Sequence, residues 1–149
     1  MSIPWDYPTP FTREFTVTKN DIDGLGHTNN ASYVIWCEQC AWQHSESLGL
    51  SVTDYQELDR GVAIRQAEYN YCLPTFTGDK LVIGTWLVDC DGRLRLERRF
   101  QIVRSGDGAT VMRGRWNLVS VVLSTGKTTR LPDRFIATYS SAVVQSPTD

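Results

Sequence analysis

The chain has 149 residues and a net charge of −2. This is about the length of one globular domain, and the charge argues against electrostatic binding to nucleic acid. No apolar stretch approaches the ~18 residues of a membrane-spanning helix, so we expect no membrane partner. The first ten residues contain three prolines and no basic residue, unlike a secretory signal. We therefore expect a cytoplasmic protein with reduced thiols.

The first third of the chain predicts a strand, a loop and one long helix. Alternating apolar residues indicate a strand over residues 11–19. A glycine-containing loop follows over residues 20–29. We predict a helix over residues 31–48, which Asn29 or Asn30 caps and Gly49 ends.

The remainder of the chain predicts mainly strands joined by turns. A short helix is expected over residues 51–58, with Ser51 as its cap. Four strand-like runs follow, at residues 62–72, 80–89, 94–104 and 110–123, and Asp91-Gly92 between two of them indicates a hairpin. Residues 132–139 predict a brief helix or strand, and residues 1–10 and 140–149 predict loose termini.

This order of elements predicts a single α+β domain over residues 1–149. The first half of the long helix is apolar on nearly all sides, which is typical of a buried helix. A curved antiparallel sheet of five or six strands wrapped around that central helix satisfies the pattern. Because the sheet covers only one face of the helix, we expect a second copy on the other face, in a homodimer or a dimer of dimers (a homotetramer).

A carboxylate shortly before the buried helix is the main chemical feature of the sequence. Asp23 precedes the helix by about seven residues, so a compact loop can hold it near the helix N-terminus. That end presents unpaired N–H groups and partial positive charge, which stabilise an oxyanion. A carboxylate that attacks a carbonyl or activates water there can perform acyl transfer. Turn and capping chemistry alone also produces such patterns.

A longer motif surrounds this carboxylate. It reads Asp23-x-x-x-His27-Thr28-Asn29-Asn30-x-x-Tyr33, followed by Glu38 and Trp42. The motif resembles the 4-hydroxybenzoyl-CoA thioesterase-like hotdog family, and within it the long-chain acyl-CoA thioesterases that carry Asp-x-x-x-His-Val-Asn-Asn-x-x-Tyr. With weaker similarities at residues 73–81 and 125–132, the resemblance covers about residues 11–135. It implies a hotdog fold and hydrolysis of a fatty or aromatic acyl-CoA, without metal or cofactor.

The resemblance also implies roles for single residues. Asp23 matches the catalytic aspartate, as nucleophile or general base, and the backbone N–H of Asn30 matches the donor to the thioester carbonyl. Glu38 matches a helix carboxylate that can face the site across a dimer, although Ala41 replaces an arginine common after it. The expected substrate-binding residues are Gly26, His27, Asn29 and Tyr33.

Two other functions fit parts of the pattern. A hotdog protein that binds acyl-CoA or an acyl carrier partner without turnover needs no reactive carboxylate, so the presence of Asp23 favours an enzyme. A hotdog hydratase also uses an aspartate and a histidine, normally with Asn-Pro between them. No proline lies between Asp23 and His27, which makes the hydratase the weakest alternative.

Other polar residues have structural interpretations. Cys37 and Cys40 lie in the helix without a histidine pair at ligand spacing, which favours core packing over metal or redox chemistry. We expect His44 at the surface and Asp21 as a brace of the loop. Arg98 shares a strand face with apolar residues, so we expect it to reach an edge or to pair with a buried carboxylate.

The remaining arginines and the tryptophans leave alternatives open. Arg93, Arg95 and Arg99 share a strand face beside Glu97, which favours a solvated outer face over a site for the phosphates of CoA. The tryptophans line an acyl tunnel or fill the core: Trp36, Trp42, Trp86 and Trp116.

Overall fold

The computed structural model describes residues 2–144 and 147. Its elements in chain order are β1 (Phe11–Thr16), a 3-10 turn (Lys19–Asp21), α1 (Asn30–Ser47), α2 (Val52–Glu57), β2 (Arg60–Tyr71), β3 (Lys80–Cys90), β4 (Arg95–Arg104), β5 (Thr110–Val122) and α3 (Asp133–Ala142). Each strand and helix that the sequence predicts is present, with ends that differ by a few residues. The last predicted element is a helix.

The strands form one antiparallel sheet in the order β1-β3-β4-β5-β2. Strands β1 and β2 are therefore its edges. Register shifts interrupt the pairing of β2 with β5, β3 with β4 and β4 with β5, and such bulges bend a sheet. The predicted fold class, a curved antiparallel sheet with one long helix packed against it, is confirmed.

Helix α1 packs one side into the core of the chain. Its buried residues are Tyr33, Trp36, Cys37, Cys40, Ala41, His44 and Ser45. The apolar residues of this set join the inner face of the sheet in one hydrophobic cluster. Burial raises the pKa of Cys37 and raises that of Cys40 to about 12, in agreement with a core role. Ile35 and Glu38 are exposed, so the other side of the helix remains open.

The N-terminal segment covers the outer face of the sheet, where the sequence predicted a loose terminus. Trp5 and Tyr7 pack against Trp86, with ring centroids 5.8 and 5.4 Å away. Trp5 also lies over Gly84, where a Cβ atom would come within 2.8 Å of the indole. These aromatic side chains bury apolar area on the sheet, and that gain orders the segment.

The C-terminal segment is also attached to the sheet through residue 144. Helix α3 buries Phe135 and Tyr139, and Val143 forms a β-bridge with Leu87. The prediction of a loose terminus from residue 140 is therefore wrong for residues 140–144, which α3 and the contacts with Leu87 hold in place. Residues 145, 146, 148 and 149 lie outside the described residues. No helix of the described residues is long and apolar enough to cross a membrane.

Candidate active site

The loop before α1 presents the Asp23 carboxylate at the surface in a fixed orientation. A bridge between Ile22 and Thr28 closes the loop, and the N–H of Asp23 donates to the carbonyl of His27 at 2.8 Å. Oδ1 of Asp23 accepts from the N–H of Leu25 at 2.8 Å. These bonds restrict the side chain, while Asp23 itself remains exposed. The loop thus holds a positioned carboxylate that stays open at the surface.

Asp21 has a different task in the same loop. Its Oδ2 accepts from the N–H and hydroxyl of Thr18, at 2.9 and 3.1 Å. Its Oδ1 accepts from the hydroxyl of Ser32 at 3.3 Å. Both carboxylate oxygens therefore connect the end of the first strand to the start of α1, and the interpretation of Asp21 as a brace is confirmed.

The start of α1 leaves one backbone donor without an acceptor. Asn29 is the N-cap, and its Oδ1 accepts from the N–H of Ala31 at 3.0 Å. The carbonyl of Asn29 accepts from the N–H of Ser32 at 2.9 Å. Asn30 is the first helical residue, where the helix itself supplies no acceptor. Its N–H forms no hydrogen bond among the described residues, so it is available to a ligand.

A buried hydroxyl chain attaches this loop to the segment after β2. Tyr33 donates to Oγ1 of Thr75 at 2.6 Å, and Thr75 donates to Oγ1 of Thr28 at 2.6 Å. The hydroxyl of Thr28 then donates to the carbonyl of Thr75 at 3.1 Å. Thr75 is completely buried. No sequence pattern points to Thr75, because a threonine after Leu73-Pro74 is an ordinary loop residue until the fold brings it here.

The loop, the start of α1 and the end of β2 line a surface pocket of about 210 Å³, which we call the helix-start pocket. Its lining residues are Asp23, His27, Thr28, Asn30, Tyr33, Tyr71, Cys72, Leu73 and Pro74. Of the predicted site residues, Gly26 and Asn29 do not line the pocket but shape its loop. Gly26 has a φ of +83°, which favours glycine. The hydroxyl of Tyr33 is occupied by Thr75, so Tyr33 presents mainly its ring.

Glu38 does not lie in the helix-start pocket. It is exposed on α1 and lines a second pocket of about 270 Å³ between that helix and the sheet, which we call the helix–sheet pocket. The two sets of lining residues have no member in common. Within one chain, the structure therefore does not bring Glu38 to Asp23. Of the tryptophans, Trp42 and Trp116 line the helix–sheet pocket, while Trp36 and Trp86 are buried elsewhere.

The helix–sheet pocket contains a buried arginine. Arg98 is 4% exposed, and its Nη1 donates to Nδ1 of His44 at 2.9 Å and to Oγ1 of Thr85 at 3.1 Å. The prediction that Arg98 reaches an edge or pairs with a buried carboxylate is wrong, since no described carboxylate lies within ion-pair distance. The prediction of a surface His44 is also wrong, because its ring stacks on Phe11 inside the core.

Three hydroxyls lie near this arginine. The Tyr139 hydroxyl forms hydrogen bonds with the hydroxyls of Ser45 and Tyr55. Burial, followed by the contact with Tyr139, raises the pKa of Tyr55. All three residues line the helix–sheet pocket, so its polar end has a cation and neutral hydroxyls.

The arginines of the outer sheet face are arranged differently. Glu97 accepts from Arg99 at 2.7 Å and from Arg115 at 3.1 Å, and both arginine side chains are more than one-third exposed. Arg93 and Arg95 are exposed as well. This arrangement agrees with the solvated outer face that the sequence favoured.

A curved antiparallel sheet packed on one long helix, with a positioned carboxylate beside the helix start, defines a thioesterase-like hotdog protein. Residues 17–138 match the Thioesterase-like superfamily. The match spans most of the chain, and the chain belongs to this superfamily.

Solved structures share the fold at low sequence identity. A hypothetical protein from Staphylococcus aureus in complex with CoA has a TM-score of 0.84 and 21% identity, covering 95% of this chain and 88% of that one. A 1,4-dihydroxy-2-naphthoyl-CoA thioesterase from Synechocystis has a TM-score of 0.78 and 20% identity, and the match covers 89% of this chain and 96% of that one. A 12:0-ACP thioesterase from Umbellularia californica has a TM-score of 0.81 and 15% identity, and the match covers 92% of this chain and 51% of that one. These likenesses confirm the hotdog arrangement.

Proposed function

We propose that the protein is an acyl-CoA thioesterase whose reaction takes place in the helix-start pocket. The observation that carries the proposal is the pairing of a positioned, exposed carboxylate with a free helix N–H in one pocket. Asp23 supplies the carboxylate, and Asn30 supplies the N–H. A carboxylate and an oxyanion donor are the two groups that hydrolysis of a thioester requires from a protein.

The chemistry assigns each group one task. Asp23 removes a proton from water as the water oxygen adds to the thioester carbonyl, or a carboxylate oxygen of Asp23 adds to that carbon itself. The N–H of Asn30 donates to the carbonyl oxygen as negative charge develops there, with help from the helix dipole. The carbon–sulfur bond then breaks, and on the second route this leaves an anhydride between the acyl group and Asp23, which water cleaves to free the carboxylate. CoA leaves as a thiolate, which needs little acid assistance because thiols have a pKa of about 8.5.

The motif and the comparisons support the choice of substrate class. The subgroup that the motif resembles consists of acyl-CoA thioesterases. Two of the similar solved structures are described with CoA or as a CoA thioesterase, and a third as an acyl carrier protein thioesterase. We propose CoA as the carrier for this chain, and a fatty or aromatic group as the acyl portion.

A second copy of the chain completes the proposed site. Apolar residues are exposed on α1 and on the edge strand β2, among them Ile35 at 55% and Ile64 at 41%. Such exposed apolar surface is typical of an interface. Glu38 is exposed on the same helix, away from Asp23 of its own chain. In a homodimer or dimer of dimers that covers this face, Glu38 of one copy would serve the helix-start pocket of the other.

A panel of acyl-CoA thioesters tests the proposal directly. Purified protein is mixed with straight-chain and aromatic acyl-CoAs, and a thiol-reactive dye reports the released CoA. We expect turnover of at least one chain class well above the rate without protein. Hydrolysis of acyl carrier thioesters alone would correct the carrier, and binding of acyl-CoA without hydrolysis of any thioester would identify a binding protein instead.

A further inference from the structure

The helix–sheet pocket contains a positive charge that the described residues do not neutralise. Arg98 is almost completely buried, with a relative exposure of 4%. The side chains that it contacts carry no negative charge, and no ion pair with a described carboxylate forms. A buried charge without a counter-charge is strongly destabilising. A buried cation whose contacting side chains are neutral is available to bind an anionic ligand.

Both hydrogen-bond partners of Arg98 are neutral groups that accept from its guanidinium. A guanidinium donates and never accepts, so Nδ1 of His44 must accept and the ring must be neutral. Burial and then the charge of Arg98 lower the pKa of His44 to about 4, in agreement with a neutral ring. The hydroxyl of Thr85 donates to the carbonyl of Arg99 at 3.0 Å while it accepts from Arg98. Neither His44 nor Thr85 therefore neutralises the positive charge of Arg98.

The guanidinium retains donors for a ligand. Both hydrogen bonds of Arg98 use Nη1, and the N–H groups of Nε and Nη2 have no partner among the described residues. Arg98 lines the pocket, together with Tyr55 and Tyr139. A planar carboxylate is the group that matches two adjacent guanidinium donors best.

The rest of the pocket suits an acyl chain. Its walls are largely apolar: Trp42, Val62, Leu87, Leu96, Trp116 and Leu118. Glu38 and Ser45 lie two helical turns apart on the pocket side of α1, about 10 Å along the helix axis. The acidic side chain therefore lies toward the helix start, and Arg98, bonded to the neighbour of Ser45, lies toward the helix end. This polarity directs an anionic group away from Glu38 and toward Arg98.

We propose that the helix–sheet pocket of one copy takes the acyl group of a thioester held in the helix-start pocket of the other copy, and that Arg98 binds a carboxylate at the far end of that group. The preferred substrates are then thioesters of dicarboxylic acids. This inference rests on the proposed function for the reaction, but the binding step can be measured without any turnover. Arg98 acts here as a specificity-determining residue and takes no part in cleavage.

Binding to the wild-type protein is the first test. Thioether analogues of acyl-CoA, which cannot be hydrolysed, are compared in pairs by calorimetry. The two members of a pair have the same chain length, and one ends in a methyl group while the other ends in a carboxylate. Several chain lengths are measured. We expect the carboxylate analogue to bind at least about tenfold more tightly at its best length, the value of one charged hydrogen-bonded contact. Equal binding, or tighter binding of the methyl analogue at every length, would overturn the inference.

Variants assign the preference to Arg98. We expect Arg98→Met to remove the preference and Arg98→Lys to retain part of it, while Arg95→Met leaves it unchanged. Arg95 lies on the same strand but is exposed on the outer face, and any contact it makes with CoA is common to both analogues. A preference that persists in Arg98→Met would overturn the assignment. Thermal unfolding verifies that each variant is folded. If a variant is not folded, the comparison of the two analogues on the wild-type protein still tests the inference.

Hydrolysis separates this inference from the proposed function. If thioesters are cleaved and the dicarboxylic member of each pair has the higher kcat/KM, both are supported. If no thioester is cleaved but the carboxylate analogue is preferred in binding, the proposed function fails and the anion site stands. If thioesters are cleaved with no preference for the dicarboxylic member, the proposed function stands and the inference fails.

Discussion

The two pockets of this chain hold their polar groups in different ways. In the helix-start pocket, the Asp23 carboxylate is exposed and is oriented by backbone donors within its own loop. In the helix–sheet pocket, Arg98 is buried and is held by side chains from α1 and β3. The first arrangement is local in sequence and inexpensive in free energy. The second needs the whole fold and carries the penalty of a buried charge.

This difference separates two functions that one residue cannot easily combine. A group that reacts must remain accessible, so a short loop closed by hydrogen bonds is sufficient to aim it. A group that selects one end of a substrate acts more strongly when it is desolvated, because electrostatic interactions increase in a medium of low dielectric constant. We therefore expect changes in the helix-start pocket to alter rate, and changes in the helix–sheet pocket to alter substrate choice and stability.

The largest expected effect is on Asp23. We expect Asp23→Asn to lower kcat by roughly 100-fold to 10,000-fold, the range for loss of a general base, with little change in thermal stability. The matched control is Asp21→Asn, which weakens the bonds to Thr18 and Ser32. That variant should lose stability while retaining much more activity. Equal losses of kcat in both variants would show that the loop, and not one carboxylate, supports the reaction.

A pH-dependent loss of stability should mark the helix–sheet pocket. Burial and the charge of Arg98 lower the pKa of His44 from 6.5 to about 4. Between these values the unfolded chain binds a proton that the folded chain excludes, so the free energy of unfolding falls as pH decreases. The fall due to this one group is on the order of 3 kcal/mol. Denaturant titrations from pH 7 to pH 4 should show a smaller fall for His44→Gln, and an identical fall would contradict a neutral buried ring.

The hydroxyl chain at the helix-start pocket should have an intermediate effect. Thr75→Val removes the acceptor of Tyr33 and the donor to Thr28 at a completely buried position. We expect a loss of about 1–3 kcal/mol in the free energy of unfolding. Thr77→Val, at an exposed position in the same segment, serves as the control. Similar stability of the two variants would argue that the chain of hydroxyls contributes little.

The smallest expected effect is on the cap of α1. Asn29→Ala removes the acceptor of the Ala31 N–H, and loss of an N-cap is destabilising by about 0.5–2 kcal/mol. Fraying at this end also moves the Asn30 N–H, so we expect kcat to fall along with the melting temperature. Asn20→Ala, in an exposed turn, should change neither quantity. A full kcat in Asn29→Ala would weaken the role of the helix start.

The sequence was informative where neighbours in space are also neighbours in the chain. The strands, α1, its asparagine cap and the brace at Asp21 follow from local patterns. Thr75 and Thr28 are 47 positions apart, and Arg98 and His44 are 54 apart, so no local pattern reveals these contacts. His44 lies in the polar half of α1, which led to the wrong prediction of exposure. Its burial depends on distant contacts with Phe11 and Arg98. The ordered N-terminal segment depends likewise on a sheet surface that forms much later in the chain.

The most direct measurement compares wild type, Asp23→Asn and Arg98→Met on one matched pair of acyl-CoAs, a monocarboxylic and a dicarboxylic thioester of equal length. Release of CoA gives kcat/KM for each combination. We predict that Asp23→Asn lowers both values by the same large factor and preserves their ratio. Arg98→Met should retain cleavage of the monocarboxylic thioester and lose the preference for its partner. Near-wild-type turnover by Asp23→Asn would contradict the central claim, that this carboxylate performs the cleavage.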